Sequence, residues 1–260
     1  MNIRHLIKGS KKNEGLPQSS LTDEDYRAIP IFINNRDLVS WPSLLIKQLS
    51  NEGYWNIIIL DNDSTYPPLL AYYESTSAKV VRLGQNLGHR ALWLSGILQE
   101  PEYQGTMYVL TDPDCVLADE CPKDYLRQLH RILLKHDEIV KVGFSLCAWG
   151  WAYHHWEVEQ GYFSNSIGDY AYETPVDTTF ALYRANSLNY EVSGLRTKKP
   201  YLCRHVPWEY RHLSLEDLPD DYVYYLANAL PISSISRLAR QKYGDALDRR
   251  VDEIRARHSV

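Results

Sequence analysis

Short apolar runs, most of which stop at clusters of Asp and Asn residues, are the feature that most constrains the fold of this chain. Three occur in the first half of the sequence, at Ile29–Ile33, Asn56–Leu60 and Met107–Thr111, and Lys79–Arg82 predicts a further strand between them. Their length is typical of strands, and stretches with helical periodicity separate them. Strands that alternate with helices predict an α/β fold with a mostly parallel sheet and flanking helices.

Polarity and helical periodicity divide the chain into an arm, a domain and a tail. The polar residues 1–28 predict a loose N-terminal arm, and residues 29–230 predict one α/β domain with halves at 29–140 and 141–230. Residues 231–260 predict an amphipathic helical tail. Within the domain, helices are predicted over Ser43–Ser50, Pro67–Ser75, Gly88–Leu98 and Asp124–His136.

The overall composition excludes several classes of protein. The 260 residues are 44% hydrophobic and 23% charged, as in packed globular proteins, so the chain is not generally disordered. A net charge of −5 argues against a broad nucleic-acid binder, which is normally basic. No apolar run approaches the roughly 20 residues that cross a bilayer, and we expect no secretory leader. The four cysteines form no Cys-x-x-Cys pair, which predicts reduced thiols in the cytoplasm.

Three Asp-x-Asp pairs are candidates for metal or phosphate chemistry: Asp23/Asp25, Asp61/Asp63 and Asp112/Asp114. The first lies in the polar arm, whereas the other two follow apolar runs. Carboxylates two residues apart on an extended segment point the same way and repel each other unless a cation lies between them. Such oxygen ligands suit Mg²⁺ or Mn²⁺, which keep coordination positions open for substrate phosphates. Taken alone, Thr-Asp-Pro-Asp is more often an ordinary turn.

Four segments follow one another in an order and spacing that a known family shares. They are Ile-Pro-Ile-Phe-Ile-Asn-Asn-Arg-Asp, Ile-Ile-Ile-Leu-Asp-Asn-Asp-Ser-Thr-Tyr-Pro-Pro, Val-Val-Arg-Leu-Gly-Gln-Asn-Leu-Gly-His-Arg and Tyr-Val-Leu-Thr-Asp-Pro-Asp. As a set, over residues 29–210, they resemble the nucleotide-sugar glycosyltransferases with the GT-A fold, a Rossmann-like α/β domain. The resemblance implies that the donor is bound by Asn34, Arg36, Asp61, Asn86, His89, Arg90 and Asp112. It implies that a divalent metal is bound by Asp112, Asp114 and a later histidine, for which His205 is the best match.

The resemblance also implies a carboxylate that faces the acceptor, and Asp177 occupies the corresponding region. In an inverting transferase this group takes the proton of the acceptor hydroxyl, whereas a retaining enzyme uses it to orient the acceptor or to stabilise the donor. The usual Glu-Asp dipeptide is absent, so both mechanisms stay open. A capping Asp at a strand edge is the alternative for Asp177, and a surface or packing histidine is the alternative for His205.

Aromatic residues with a polar group are abundant, with 20 Tyr and 7 Trp against only 4 Phe. Trp149, Trp151 and Trp156 predict either a platform on which acceptor sugars stack or a core beneath a lid. The basic tail predicts a solvated helix, a homodimer contact or a peripheral contact with the inner face of a membrane.

Together, the residues and the resemblance predict a cytoplasmic, metal-dependent glycosyltransferase. It would move a sugar from a UDP- or GDP-sugar to a hydroxyl of a glycan, a lipid-linked sugar or a protein, as in polysaccharide biosynthesis, with Mn²⁺ or Mg²⁺ as cofactor. One alternative is a nucleotidyltransferase on a related sheet, although no Gly-rich basic loop follows the first strand. The other is a catalytically inactive module that binds a sugar or a nucleotide.

Overall fold

The computed structural model describes residues 15–147, 161–210, 213–229 and 234–258. The strands are β1 Ile31–Asn35, β2 Ile57–Asp61, β3 Lys79–Arg82, β4 Tyr108–Thr111, β5 Cys115–Leu117, β6 Lys141–Gly143, β7 Ser145–Leu146, β8 Ser166–Ile167, β9 Ala171–Glu173, β10 Ala181–Tyr183, β11 Leu195–Thr197 and β12 Leu202–His205. The α-helices are α1 Asp23–Ala28, α2 Ser40–Asn51, α3 Pro67–Tyr73, α4 Ala91–Leu94, α5 Tyr125–Lys135, α6 Asp220–Asn228, α7 Ser234–Tyr243 and α8 Asp245–His258.

A large mixed sheet forms the centre of this α/β domain, with the strand order β3-β2-β1-β4-β10-β6-β11-β9-β8. The expected parallel arrangement holds for the run from β3 to β4. It is wrong for the second half of the sheet, because β10 is antiparallel to both of its neighbours and β9 is antiparallel to both β8 and β11. A strand buried on both faces has the same apolar pattern in either direction, so the sequence pattern could not show this reversal.

Alternate residues of the central strands enter two different cores. Ile31 and Ile33 of β1 pack into the larger core with residues of α2 and α5, and Phe32 packs into the smaller core on the other face. In the smaller core the rings of Tyr108 and Tyr183 stack with centroids 4.8 Å apart. Because both faces are covered, the polar residues of this region lie at the ends of the strands.

A second, three-stranded sheet has the order β5-β12-β7. Its first strand begins directly after Asp114, and β12 pairs antiparallel with β5 so that His205 lies opposite Cys115. This register brings the end of β12 next to the end of β4, although the two segments are far apart in the sequence.

The described part of the N-terminal arm packs on the domain. Arg131 of α5 donates to the main-chain oxygen of Pro17 (2.9 Å), and α1 begins with reciprocal hydrogen bonds between Thr22 and Asp25. These contacts give residues 15–28 fixed partners, which their polar composition did not predict.

The tail helices pack back on the same chain. The apolar face of α8 is buried through Leu247, Val251 and Ile254, and α8 lies against α6. Arg250 and Arg257 of α8 both pair with Asp220, the first residue of α6. Among the described residues, no helix combines the length and the apolarity needed to span a bilayer.

Candidate functional site

The carboxyl ends of β1, β2 and β4 lie together at one edge of the large sheet, as expected of parallel neighbours. Two residues after the ends of β1 and β2, an Asp adopts a positive φ, 55° at Asp37 and 61° at Asp63, which short polar side chains tolerate. The chain therefore turns away from the sheet immediately after its apolar residues, leaving polar side chains at the edge.

Asn34 and Asn86 hold the loop that follows β3 over this edge. Asn34 accepts a hydrogen bond from Asn62 and donates one to the main-chain oxygen of Gly88 (3.1 Å). Asn62 also accepts from the main-chain nitrogen of Leu87 (3.0 Å), and Asn86 accepts from that of Gly88 (3.0 Å). Asn34 and Asn86, which the resemblance implies as donor-binding residues, therefore use side-chain atoms to hold the loop after β3 in place. This loop is the one that would contact the donor.

Asp61 is fully buried, and both of its carboxylate oxygens are engaged. Arg82 lies 2.6 Å from Oδ2, and the hydroxyl of Tyr73 donates to Oδ1 at 2.9 Å. Arg82 is half exposed, so Asp61 holds one side of a guanidinium whose other side faces solvent at the sheet edge. Burial, and then Asp61, raise the pKa of Tyr73 well above its usual value, which keeps this phenol a donor.

The neighbouring Asp37 has a structural role. Its Oδ1 accepts the main-chain N–H groups of Thr65 (2.7 Å) and Tyr66 (3.0 Å) at the start of α3. Burial raises the pKa of Asp37 despite these hydrogen bonds. Arg36 lies 3.7 Å from the other oxygen of Asp37, and its side chain is partly exposed at the same edge.

Asp114 and His205 are brought together by the pairing of β12 with β5. His205 Nε2 lies 3.7 Å from Asp114 Oδ1, and the main-chain nitrogen of Val206 donates to the main-chain oxygen of Asp114 (3.0 Å). Ligand atoms of Asp114, Cys115 and His205 all lie within 4.8 Å of one another. Asp112 is outside this cluster and accepts a hydrogen bond from the hydroxyl of Thr178 at 2.6 Å.

The electrostatics of this cluster favour a cation. Burial, and then the neighbouring Asp114, raise the pKa of Asp112 well above its usual value, although the Thr178 hydrogen bond opposes the change. The carboxylates also act on α6, where burial first and Asp114 second raise the pKa of Tyr222 and Tyr225. A divalent ion would offset the repulsion between the two carboxylates.

The donor set fits Mn²⁺ or Mg²⁺. The ring of His205 packs against that of Trp208, with centroids 4.6 Å apart, and its other nitrogen, Nδ1, is buried without a hydrogen-bond partner among the described residues. A hydrogen bond with Cys203, burial and Asp114 raise the pKa of the Cys115 thiol well above its usual value, which disfavours the thiolate that a metal would need. What remains is carboxylate oxygen and imidazole nitrogen, which these ions accept.

Tyr190 connects the predicted donor loop with Asp177. Its hydroxyl donates to the exposed carboxylate of Asp177 at 3.1 Å. Its ring lies 5.2 Å from that of His89, and the guanidinium of Arg90 lies 5.7 Å from its centroid. Three of the residues implied by the resemblance therefore surround a tyrosine that the sequence did not single out.

Thr178, Tyr190 and Tyr225 are site residues that the sequence analysis missed. Each is a single polar residue in a chain rich in Tyr and Thr, and its relation to the carboxylates depends on how distant segments pack. Trp149, Trp151 and Trp156, together with His154, His155 and His212, lie outside the described residues.

Comparisons with known proteins give no independent identification. No protein-family model matches the chain. No curated protein matches it with significant similarity.

Proposed function

We propose that this protein is a metal-dependent glycosyltransferase of GT-A type, which moves a sugar from a nucleoside-diphosphate sugar to a hydroxyl acceptor. The observation that carries the proposal is the arrangement of Asp114 and His205, 3.7 Å apart, beside Asp112 at the carboxyl edge of the sheet. Ligands of open α/β sheets bind at this edge.

The donor would lie across the ends of β1, β2 and β4. Arg82, His89 and Arg90 are exposed along this edge, and Arg82 is oriented by the buried Asp61. A planar guanidinium held on one side presents its remaining N–H groups in a fixed direction, which suits the oxygens of a base or a phosphate. The guanidinium groups of Arg36, Arg82 and Arg90 supply positive charge for the donor in a protein of net negative charge.

Asp112, Asp114 and His205 would hold the metal. When bound, it would act as a Lewis acid that offsets the negative charge developing on the leaving diphosphate. Thr178 orients the carboxylate of Asp112 for this purpose. Asp177, which is exposed and oriented by Tyr190, would face the acceptor. It takes the proton of the acceptor hydroxyl in an inverting transfer, or orients the acceptor in a retaining one.

We place the protein in the cytoplasm because its four cysteines are all free thiols, which persist in a reducing compartment. Its partners would be a UDP- or GDP-sugar and a carbohydrate or glycolipid acceptor. Since the apolar face of α8 is covered by the same chain, a dimer or membrane contact through the tail would use the exposed faces of these helices.

The test is a thermal-shift screen of UDP, GDP and dTDP, each with and without Mn²⁺, followed by a donor-hydrolysis assay. A ligand that binds only the native state raises stability, so one nucleotide is expected to stand out when Mn²⁺ is present. Asp114→Asn should abolish the Mn²⁺-dependent part of this shift. The matched control is Asp63→Asn, which changes the other Asp-x-Asp pair at a position where Asn tolerates the positive φ.

The outcomes separate the proposed function from its alternatives. Metal-dependent nucleotide binding without any donor hydrolysis would indicate an inactive binding module. No nucleotide response, or a response that Asp63→Asn abolishes and Asp114→Asn does not, would refute the glycosyltransferase proposal.

A further inference from the structure

Lys141 is a fully buried lysine at the start of β6, on the face of the sheet that leads to Asp177. Its Nζ donates to the hydroxyl of Tyr183 (3.1 Å) and to the main-chain oxygen of Asp177 (3.4 Å). Among the described residues, no carboxylate lies within ion-pair distance of this ammonium. A buried charge without a contacting counter-charge costs stability, so its presence at this position needs an explanation other than stability.

The ammonium lies beneath the groups that orient Asp177. It is 5.1 Å from the ring centroid of Tyr183 and 5.8 Å from that of Tyr190, both distances at which a cation is attracted to an aromatic face. Tyr190 in turn donates to the Asp177 carboxylate. Lys141 therefore supports Asp177 twice, through its main-chain oxygen and through the tyrosine that orients its side chain.

The same segment carries the support of Asp112. Next to Asp177, the hydroxyl of Thr178 donates to Asp112 Oδ2, and the main-chain oxygen of Thr178 accepts from the nitrogen of Asp112 (2.8 Å). A displacement at Asp177 would reach Thr178 through one peptide bond, and from Thr178 it would reach the predicted metal ligand Asp112 through these two hydrogen bonds. Lys141 thus supports the segment that connects Asp177, which would face the acceptor, with Asp112, which would bind the metal.

Gly194 leaves room for the lysine. A Cβ at residue 194 would lie 2.9 Å from the main-chain oxygen of Lys141 and 3.2 Å from its Cγ. Gly194, which directly precedes β11, thus permits β11 to pack closely against β6 beside the long, charged side chain of Lys141.

We propose that Lys141 is a positioning residue of the transfer reaction, whose ammonium holds the Asp177 segment so that one carboxylate faces the acceptor while Thr178 holds Asp112. This role rests on the glycosyl transfer proposed above. Lys141 touches neither substrate nor metal and acts only through Asp177, Tyr183 and Tyr190.

The ammonium of Lys141 loses its proton at a lower pH than an exposed lysine does. Burial lowers its pKa to about 8, Asp177 and Glu191 oppose this change, and Arg196 adds to it. The other titratable groups facing it are Tyr183 and Tyr190. Burial, followed by Asp177, raises the pKa of Tyr190 to about 12, and the pKa of Tyr183 is also raised, so both stay protonated while the lysine titrates.

The experiment compares Lys141→Met with the wild-type protein in donor binding, acceptor transfer and its pH profile. Methionine fills most of the same space but removes the ammonium together with its hydrogen bonds to Tyr183 and Asp177, and urea unfolding checks that the variant keeps its fold. We expect kcat for transfer to fall on the order of 100-fold, as a small displacement of a reacting group can cause. We expect the KM for the donor to change much less than kcat, because Lys141 reaches the predicted donor residues only indirectly, through Tyr190 and the Asp177 segment.

The pH profile distinguishes positioning from a merely structural role. In the wild type, kcat should decline above about pH 8 as the ammonium loses its proton. In Lys141→Met this decline should be absent, because there is no ammonium to lose. A general weakening of the fold would lower kcat at every pH and leave the shape of the profile unchanged.

Lys135→Met is the matched control. Lys135 is also buried, donates to a main-chain oxygen (Gly15, 3.3 Å) and lies 5.2 Å from a tyrosine ring (Tyr170), but these partners are outside the candidate site. It should keep wild-type kcat. Unchanged kcat and pH profile in Lys141→Met, in an active wild-type background, would overturn the role of Lys141 alone. A wild-type protein without nucleotide binding or turnover would overturn the proposed function, and this role with it.

Discussion

Thr178→Val removes one hydroxyl from the candidate metal site and changes little else. Thr178 is buried, and its hydroxyl donates to Asp112 Oδ2 at 2.6 Å. Valine has nearly the same shape, so the substitution deletes the hydrogen bond without opening a cavity. We expect a weaker affinity for Mn²⁺, because Asp112 loses the group that favours its ionised form.

The size of the effect follows from the type of hydrogen bond. A hydrogen bond to a charged group contributes about 1.5–3 kcal/mol, which corresponds to about 10- to 150-fold in an equilibrium constant. Substitutions of groups that support metal ligands typically weaken metal binding by about 10- to 100-fold, in agreement with this range. The loss should grow as the pH falls, since protons compete with the metal for a carboxylate whose pKa is already raised.

Titration calorimetry with MnCl₂ at two pH values measures this affinity, and urea unfolding checks the fold. The neighbouring Thr179→Val is the matched control, because the buried Thr179 hydroxyl has no hydrogen-bond partner among the residues that the structure describes. Its removal should leave Mn²⁺ affinity unchanged and should not lower stability. If Thr178→Val bound Mn²⁺ within about twofold of the wild type, or if both variants lost affinity equally, Asp112 would not be a ligand held by Thr178.

Three further changes test other parts of the structure. Asp61→Ala should weaken binding of the bare nucleoside by about 1.5–3 kcal/mol, because it releases Arg82, and it should leave the metal dependence of diphosphate binding unchanged. Calorimetry that shows an unaltered nucleoside affinity would exclude Asp61 from the donor site. Asp221→Ala should lower the free energy of unfolding by about 2 kcal/mol in urea titration, because its Oδ2 accepts the N–H groups of Val39, which precedes α2, and of Ser40, its first residue, at 2.9 and 2.7 Å. No loss would show that water replaces the carboxylate. The Nδ1 atom of His130 shares a buried hydrogen bond with the hydroxyl of Tyr26. Burial, and to a smaller extent the positive charge of Arg184, lowers the pKa of His130 below the usual 6.5. Folding therefore favours the neutral ring, so stability should fall as the pH drops below 6.5, and His130→Gln should lose that part of the pH dependence in denaturation measured between pH 5 and 7.

The positions of β1, β2 and β4 could be predicted from the sequence because burial on both faces leaves a largely apolar run. β3 is only partly buried, and its two adjacent valines indicated it. Asn56–Leu60 was predicted where Ile57–Asp61 is observed, and Met107–Thr111 where Tyr108–Thr111 is observed. The direction of β10 could not be predicted. It depends on how the chain returns to the sheet, which an apolar run of a few residues does not encode.

The candidate site was predictable only in part. The sequence marked Asp114, and the resemblance marked His205, but their approach depends on the pairing of β12 with β5 across 91 positions of sequence separation, from 114 to 205. Thr178 and Tyr190 carry no local signal, since a hydroxyl is typical of any loop. Asn34 and Asn86 have internal partners that only the packed loop reveals.

The two outermost strands of the large sheet decide whether the protein can grow by strand addition. β3, at one border, carries exposed Lys79 and Arg82 at its two ends, and β8, at the other, has only two residues. Charged side chains and short length are the means by which natural sheets prevent pairing with another copy. Within the part of the chain that the structure describes, neither border of the large sheet therefore offers a long, uncharged strand on which fibrous aggregation could start.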